Sequence, residues 1–398
     1  MKINVGVVFG GASVEHEISI ISANQVMHAL NEEKYNIIPI YISKEEDFYY
    51  SLAYRNIEVF KNIDNAKKTD RVIFKKTSNK IEMHHFKNKM FGGSKITDID
   101  IFFPVMHGTK GEDGTLQGML EMMQATYVGC DIKGAVNGQD KVFTKNILKD
   151  NNVPVVEYDW FYKTDYFANE EETLERLEKR IGYPMIIKPA SLGSSVGISK
   201  AESREKLKEA IDEAARYDIK IIVEKAIENL IEVNCAVLGD YSEQRTSAIE
   251  RVFQSDEILS YKDKYQSSGS KGTKGSKDKG MAATQREIPA DISPELDAQV
   301  REMGINGFKA LNLAGNVRID FLINKTDNSV YLNEVNTIPG SLAFYLWSEV
   351  GLGFDDLCEE LIKIAIKRKR EQKQFVTSFD TNVLQNMGSG VKGSKSKV

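Results

Sequence analysis

NVRIDFLI at residues 316–323 and SVYLNEVNTIPG at residues 329–340 are two apolar runs with polar residues set into them at a spacing of two. Residues two apart on a strand project from the same face. Arg318 and Asp320 therefore share one face of the first strand, and Glu334 and Asn336 one face of the next. Together the two strands present an arginine, two carboxylates and an amide toward one volume. Hard oxygen donors of this kind suit Mg²⁺, which binds few carboxylates and takes its other ligands from water and substrate phosphate. The plainer alternative is a salt-bridged surface patch in which Arg318 pairs with Glu334. Asn336-Thr337-Ile338-Pro339-Gly340 weighs against it, because the carboxylate strand ends there in a turn that exposes its backbone.

Toward the N-terminus, YPMIIKPASLGSSVGISKA (183–201) reads as a buried strand, Met185–Ile187, delivering Lys188 to a loop of small residues that contains Ser194 and Ser195. Glycine and serine let backbone N–H groups approach phosphate oxygens, and the lysine adds a point charge. Because the lysine precedes the loop, this is not the GxxxxGK[ST] phosphate loop. In IIVEKAIENLIEV (221–233) a strand ends at Glu224, the chain turns through Lys225-Ala226-Ile227, and Glu232 opens the next strand. Such a hinge offers backbone hydrogen bonds to an adenine edge and a carboxylate to ribose hydroxyls. Taken alone, a plain β-turn is the better reading.

The rest of the chain supplies a frame for these pieces. Ile3–Phe9 reads as a buried strand, about 14–30 as a helix, and Tyr35–Ile42 and Asp100–Val105 as further strands, with a lysine-rich, hairpin-like insertion over about 45–95. Strand–helix–strand order implies a doubly wound parallel sheet with a ligand crevice at the strands' C-terminal ends. The expected class is α/β: an N-terminal unit over 1–133, a central unit over 134–231 and a C-terminal unit over 232–372. The Gly/Ser/Lys-rich stretch SSGSKGTKGSKDKG (267–280) and the tail 373–398 are too poor in apolar residues to bury a core and are expected to be disordered.

Composition narrows the function classes. The 398 residues are 41% hydrophobic and 28% charged, as in an ordinary globular protein, and the net charge of −5 gives no reason to expect nucleic acid. No run approaches the roughly 20 apolar residues of a membrane-spanning helix. The first apolar run stops at Gly10-Gly11, too short and too β-branched for a secretion signal. Cys130, Cys235 and Cys358 are far apart and form no CxxC pair, which fits a reducing cytoplasm.

Taken in this order, the three constellations resemble the ATP-grasp superfamily. FGGASVEHEIS (9–19) and HGTKGEDGTLQG (107–118) narrow the resemblance to D-alanine–D-alanine ligases, over about residues 3 to 370. The resemblance implies a pair of α+β ATP-grasp units after the N-terminal one, with a lid over 254–285. It assigns Lys141, Lys188 and Ser195 to ATP phosphates, with Lys264 reaching the γ-phosphate from the lid. It assigns Glu224, Ala226, Ile227 and Glu232 to adenosine, and Asp320, Glu334 and Asn336 to two Mg²⁺ ions, with Mn²⁺ able to substitute. Glu15 would receive the ammonium of the first D-amino acid, with His107 near it, and Ser194 and Tyr265 would link Glu15 to the lid. Arg318 and the Gly340 N–H would stabilise charge on the reacting carbonyl. The implied partners are D-alanine, ATP and a second copy of the chain. A glutamate at a helix start also compensates the helix dipole, which is the plain reading of Glu15. His16 is expected at the surface or behind the site.

Two departures stand out. Many relatives carry a serine that holds the second substrate's carboxylate where this chain has Tyr345, which leaves Tyr345 or Ser341 as candidates. The lid continues past Tyr265 into a longer, more basic stretch. Relatives making D-Ala–D-lactate tend to lack the lid tyrosine, so Tyr265 favours an amine acceptor. The competing readings are a ligase with D-serine or another D-amino acid as acceptor, another ATP-grasp ligase, and a nucleotide-binding regulator without catalysis.

Overall fold

Three sheets carry the chain in the computed structural model, which describes residues 2–78, 80–87, 93–253 and 285–379. The first sheet has the order β6-β5-β4-β3-β2-β1-β7, with β1 Ile3–Gly10, β2 Tyr35–Ile42, β3 Phe48–Tyr50, β4 Asp70–Lys76, β5 Ile81–His85, β6 Lys95–Ile99 and β7 Ile101–Pro104. Only β1, β2 and β7 run parallel. The lysine-rich stretch does not stand apart as an insertion. It continues the sheet beyond β2 as an antiparallel meander. The reason is burial: Val72, Ile81, Met83 and Ile99 join one apolar cluster with Val8, Ile40 and Phe102, while the lysines face out. A β2 edge left bare would expose a row of unpaired N–H and C=O groups.

The crossover from β1 to β2 runs through the helix His16–Ala29. At its start the chain makes a turn that only glycine permits. Gly10 has φ +95, and a Cβ there would lie 2.2 Å from the Ile42 carbonyl oxygen. Because β1 and β7 are parallel neighbours, Gly10-Gly11 and His107 emerge at the same end of the sheet, which places Glu15 and His107 at one crevice.

The second sheet, order β10-β9-β11-β8, is antiparallel: β8 Tyr158–Tyr162, β9 Met185–Pro189, β10 Ser199–Ala201 and β11 Lys220–Lys225. Helices Glu170–Arg180 and Arg204–Ala214 cover one face, burying Leu174, Leu177, Leu207 and Ile211 against Ile187, Ile221 and Val223. The third sheet, order β14-β13-β12-β15-β16, is also antiparallel: β12 Leu230–Gly239, β13 Gln244–Phe253, β14 Gln285–Glu287, β15 Gly315–Asn324 and β16 Val330–Asn336. Its back packs on Val300, Met303 and Phe308 of the helix Pro294–Ala310, and on Ala135, Leu148 and Val153 from the chain leading to the second sheet.

The helix Phe354–Gln372 returns to the first sheet. Leu357, Leu361, Ile362 and Trp347 share one core with Val5, Val7, Phe9 and Phe103. Lys264, Tyr265 and nearly all of the expected lid lie outside the described residues, as does the tail beyond residue 379.

Candidate active site

Strand register assembles one wall of the site. Glu250 of β13 stands opposite Asn234 of β12, Asn234 opposite Asp320 of β15, and Asp320 opposite Glu334 of β16; one step along, Arg318 faces Asn336. Directly opposed residues share a face, so one polar row crosses four strands. Arg318 donates twice to Asp320, from Nε to Oδ1 at 2.7 Å and from Nη2 to Oδ2 at 2.9 Å. Asn336 Nδ2 donates to the same Oδ2 at 3.1 Å. The partner of Arg318 is thus Asp320, not Glu334. Burial pushes the Asp320 carboxyl above its ordinary range; Arg318 opposes this, and the charges of Glu334 and Glu250 add to it. An acid held against its neighbours in this way is relieved by a cation.

Among the described residues no three His, Cys, Asp or Glu side chains gather closely enough to hold a metal by themselves. Two carboxylates and an amide do fit Mg²⁺, which relies on phosphate and water for its remaining ligands.

Facing this wall are three lysines, two of them on one buried glutamate. Lys188 Nζ donates to Glu224 Oε2 at 2.8 Å and to Asn333 Oδ1 at 3.3 Å. Lys145, fully buried, stands 3.2 Å from the other Glu224 oxygen. Lys141 donates to the Leu192 carbonyl at 2.6 Å and lies 3.7 Å from Glu334. Burial opposes charge on Glu224, but Lys145 and Lys188 outweigh it and hold the carboxyl at about 2. The Glu224 carboxylate, on the strand end expected at the adenosine, meets these two lysines. Ala226 donates its N–H to Pro184 O at 3.0 Å. The charge of Glu232 reaches Lys188. Lys145 was not singled out from sequence; its spacing of four from Lys141 on one helix was the available signal.

The floor comes from the first sheet. Glu15 occupies the N-cap position of the helix His16–Ala29 without capping it, and its carboxylate accepts a hydrogen bond from Ser194 Oγ. Ser194 and Ser195 have φ +55 and +58, a left-handed bend that turns the loop toward Glu15. Gly108 passes so close that a Cβ on it would lie 2.6 Å from Glu15 Oε2.

His107 is buried, and burial holds its pKa below the ordinary histidine value, although Glu15 pulls the other way. Its Nδ1 lies 2.7 Å from the Ile338 carbonyl, which only accepts, so Nδ1 carries the proton. Nε2 then accepts from Ser22 Oγ at 2.9 Å, and Ser22 Oγ accepts the Ser341 N–H at 2.9 Å. His107 also feels the charges of both Glu15 and Arg318, which joins the floor to the oxygen-donor wall.

Besides Lys145, two more residues of the site carry no signal that the sequence reading used. Ser22 is one. Glu112, within the quoted HGTKGEDGTLQG, is the other: it accepts from Gly108 N at 2.8 Å, Thr337 Oγ1 at 3.1 Å and Ile338 N at 2.7 Å. It thereby ties the first sheet's loop to the turn that carries Gly340. A Cβ on Gly340 would meet nothing within 4 Å, so its backbone borders open space. Ser341 is buried, and Tyr345 donates its hydroxyl to Glu250 Oε1 at 2.9 Å. His16 is wholly buried, within 2.7 Å of the Gly11 carbonyl and 3.2 Å of the Tyr41 hydroxyl, and so does not lie at the surface.

A lysine cluster opposite an oxygen-donor wall on paired antiparallel sheets belongs to an ATP-dependent ligase of ATP-grasp fold. Residues 4–130 match the family model described as D-ala D-ala ligase N-terminus, and residues 147–363 the one described as D-ala D-ala ligase C-terminus. The D-alanine–D-alanine ligase of Thermosipho melanesiensis is 39% identical over 384 residues, covering 96% of this chain and 98% of that protein. Among solved structures, the D-alanine–D-alanine ligase of Coxiella burnetii superposes with a TM-score of 0.77 at 28% identity, covering 94% of this chain and 96% of the other. The VanG D-Ala:D-Ser ligase of Enterococcus faecalis gives 0.75 at 28% identity, covering 92% and 100%. The chain belongs to the D-alanine–D-alanine ligase family.

Proposed function

We propose that this chain joins two D-alanines into D-Ala–D-Ala for peptidoglycan, with ATP cleaved to ADP through a D-alanyl phosphate. The observation that carries this is the convergence of Glu15, through Ser194 and through His107 and Arg318, on the volume bounded by Asp320, Glu334 and the lysines.

Glu15 receives the ammonium of the first D-alanine, oriented by Ser194, and neutral His107 fixes the turn beside it. Lys141, Lys188 and Ser195 hold the phosphates, while Glu224 keeps Lys188 and Lys145 in place. The hinge at Ala226 and Ile227 borders the adenine, and Glu232 serves the ribose. Mg²⁺ held by Asp320, Glu334 and Asn336 supplies charge neutralisation at the phosphates; we assign two ions, replaceable by Mn²⁺. The first carboxylate attacks the γ-phosphorus, the second amine attacks the acyl phosphate, and Arg318 with the Gly340 N–H stabilises the tetrahedral oxyanion. Lys264 and Tyr265 belong to a lid that excludes water from the acyl phosphate.

We place the enzyme in the cytoplasm as a homodimer of three-unit chains. No helix among the described residues is long and apolar enough to cross a membrane.

The similarity to a D-Ala:D-Ser ligase supports a second reading, with D-serine as acceptor. Incubation with ATP, Mg²⁺ and a mixture of D-amino acids, with peptides identified by mass, separates the two. D-Ala–D-Ala as the main product supports the first reading, D-Ala–D-Ser the second, and absence of any peptide overturns both.

A further inference from the structure

Building on the ligase reading, the acceptor's carboxylate needs a partner, and neither candidate from the sequence is available for it. A phenol has one proton. The Tyr345 proton goes to Glu250 Oε1, which also accepts from Asn234 Nδ2 at 3.0 Å. Glu250 is 1% exposed, so a substrate carboxylate brought to the Tyr345 hydroxyl would meet a second, buried anion. Ser341 is 5% exposed within a left-handed turn, so its hydroxyl offers almost no surface to a substrate, and its N–H donates to Ser22 Oγ.

Arg286 offers what both lack. It sits on β14 opposite Val252, two residues along β13 from Glu250 and on the same face. Its guanidinium carbon stands 5.1 Å from the centroid of the Tyr345 ring. Its Nη1 is 3.8 Å from Glu250 Oε2, near enough for attraction but too far for a hydrogen bond. Glu250 Oε2 has no hydrogen-bond partner among the described residues. The Arg286 side chain is 27% exposed, so its remaining N–H groups face accessible space. The charges of both the buried Arg318 and Arg286 act on the Tyr345 hydroxyl.

We infer that Arg286, resting on the Tyr345 ring and aimed by Glu250, binds the acceptor's carboxylate and makes this chain select an acceptor that carries one. A guanidinium takes a carboxylate through two parallel N–H···O bonds, a geometry that a serine or tyrosine hydroxyl does not offer.

D-Alaninamide tests this. Lacking a carboxylate, it cannot be phosphorylated and can enter only as acceptor. Wild-type enzyme, Arg286→Met and Arg286→Lys are each given ATP, Mg²⁺, D-alanine and D-alaninamide, and the two products are measured by mass. The wild type should favour D-Ala–D-Ala over D-Ala–D-alaninamide. Arg286→Met should lose at least about tenfold of that preference, the loss expected when a hydrogen-bonded charge pair is removed, and Arg286→Lys should recover part of it.

Trapping of the acyl phosphate with hydroxylamine, which has no carboxylate either, should proceed equally in wild type and Arg286→Met and shows that the variant is folded. If Arg286→Met does not fold, the lysine variant carries the test through an intermediate preference. Either variant keeping the full wild-type preference overturns the inference. A wild type that makes no dipeptide overturns the ligase reading, and this inference with it.

Discussion

The carboxyl groups of Glu224 and Glu112 are displaced in opposite directions by their surroundings, and each displacement makes a prediction. Lys145 and Lys188 hold Glu224 at about 2, against an ordinary 4.5. Its ionised form therefore stabilises the fold above about pH 4.5, and that contribution is lost as pH falls toward 2. Glu224→Gln leaves buried lysines unpaired. It should cost about 3–5 kcal/mol in urea unfolding at neutral pH, and flatten the acid limb of stability between pH 4.5 and 2. Glu112 is the reverse case: burial, aided by Glu15, raises it to about 7. The folded chain then holds the Glu112 proton more tightly than the unfolded one, so stability falls as pH rises from about 4.5 through 7. Glu112→Gln should remove that slope, measured by unfolding at pH 5 and pH 8. It should also lower kcat/KM roughly tenfold, because Gly108 N–H and Ile338 N–H donate to different oxygens and the amide nitrogen that replaces one of them cannot accept.

One element concentrates backbone cost at the site. Ser341, Leu342 and Ala343 follow Gly340 in left-handed conformations, each costing about 1–2 kcal/mol. Tertiary contacts hold the turn: Asn316 Nδ2 donates to Leu342 O at 2.6 Å, and Asn316 Oδ1 accepts from Trp347 Nε1 at 2.9 Å. Asn316→Ala would orphan both partners in the core. We expect a loss of about 2–5 kcal/mol in urea unfolding, with the KM of the acceptor D-alanine rising more than that of ATP, because the proposed function puts the turn beside the acceptor and not the nucleotide hinge.

At the scale of the molecule, the first sheet does not own its core. Trp347, Leu357, Leu361 and Ile362 complete it from the far end of the chain, and Tyr35 donates to Glu359 at 2.8 Å. A fragment of residues 1–133 should therefore lack a cooperative thermal transition by circular dichroism, whereas the full chain shows one. Trp347→Ala, which empties a fully buried site in that shared core, should destabilise by about 3–5 kcal/mol and raise hydrogen exchange in β1 and β7 as well as in the helix Phe354–Gln372.

Periodicity and local motif were enough to read much of this protein from its sequence. Arg318 and Asp320 share a face because strands alternate, Ser194 and Ser195 lie in a loop because small residues follow a buried strand, and Glu15 opens a helix after glycines. Those are short-range consequences of backbone geometry, and the structure reproduces them. Which partner each side chain meets was decided elsewhere. His107 reaches a carbonyl 231 positions away, Glu112 joins a turn 226 positions on, and Tyr345 gives its proton to Glu250 across 95. Glu224 meets Lys188 and Lys145, 36 and 79 positions away in the chain, for the same reason. Strand pairing and shared cores bring such groups together, and a buried charge or donor must then take whatever partner the packing supplies. Local sequence sets the faces of its own element; only the assembled fold sets what those faces confront.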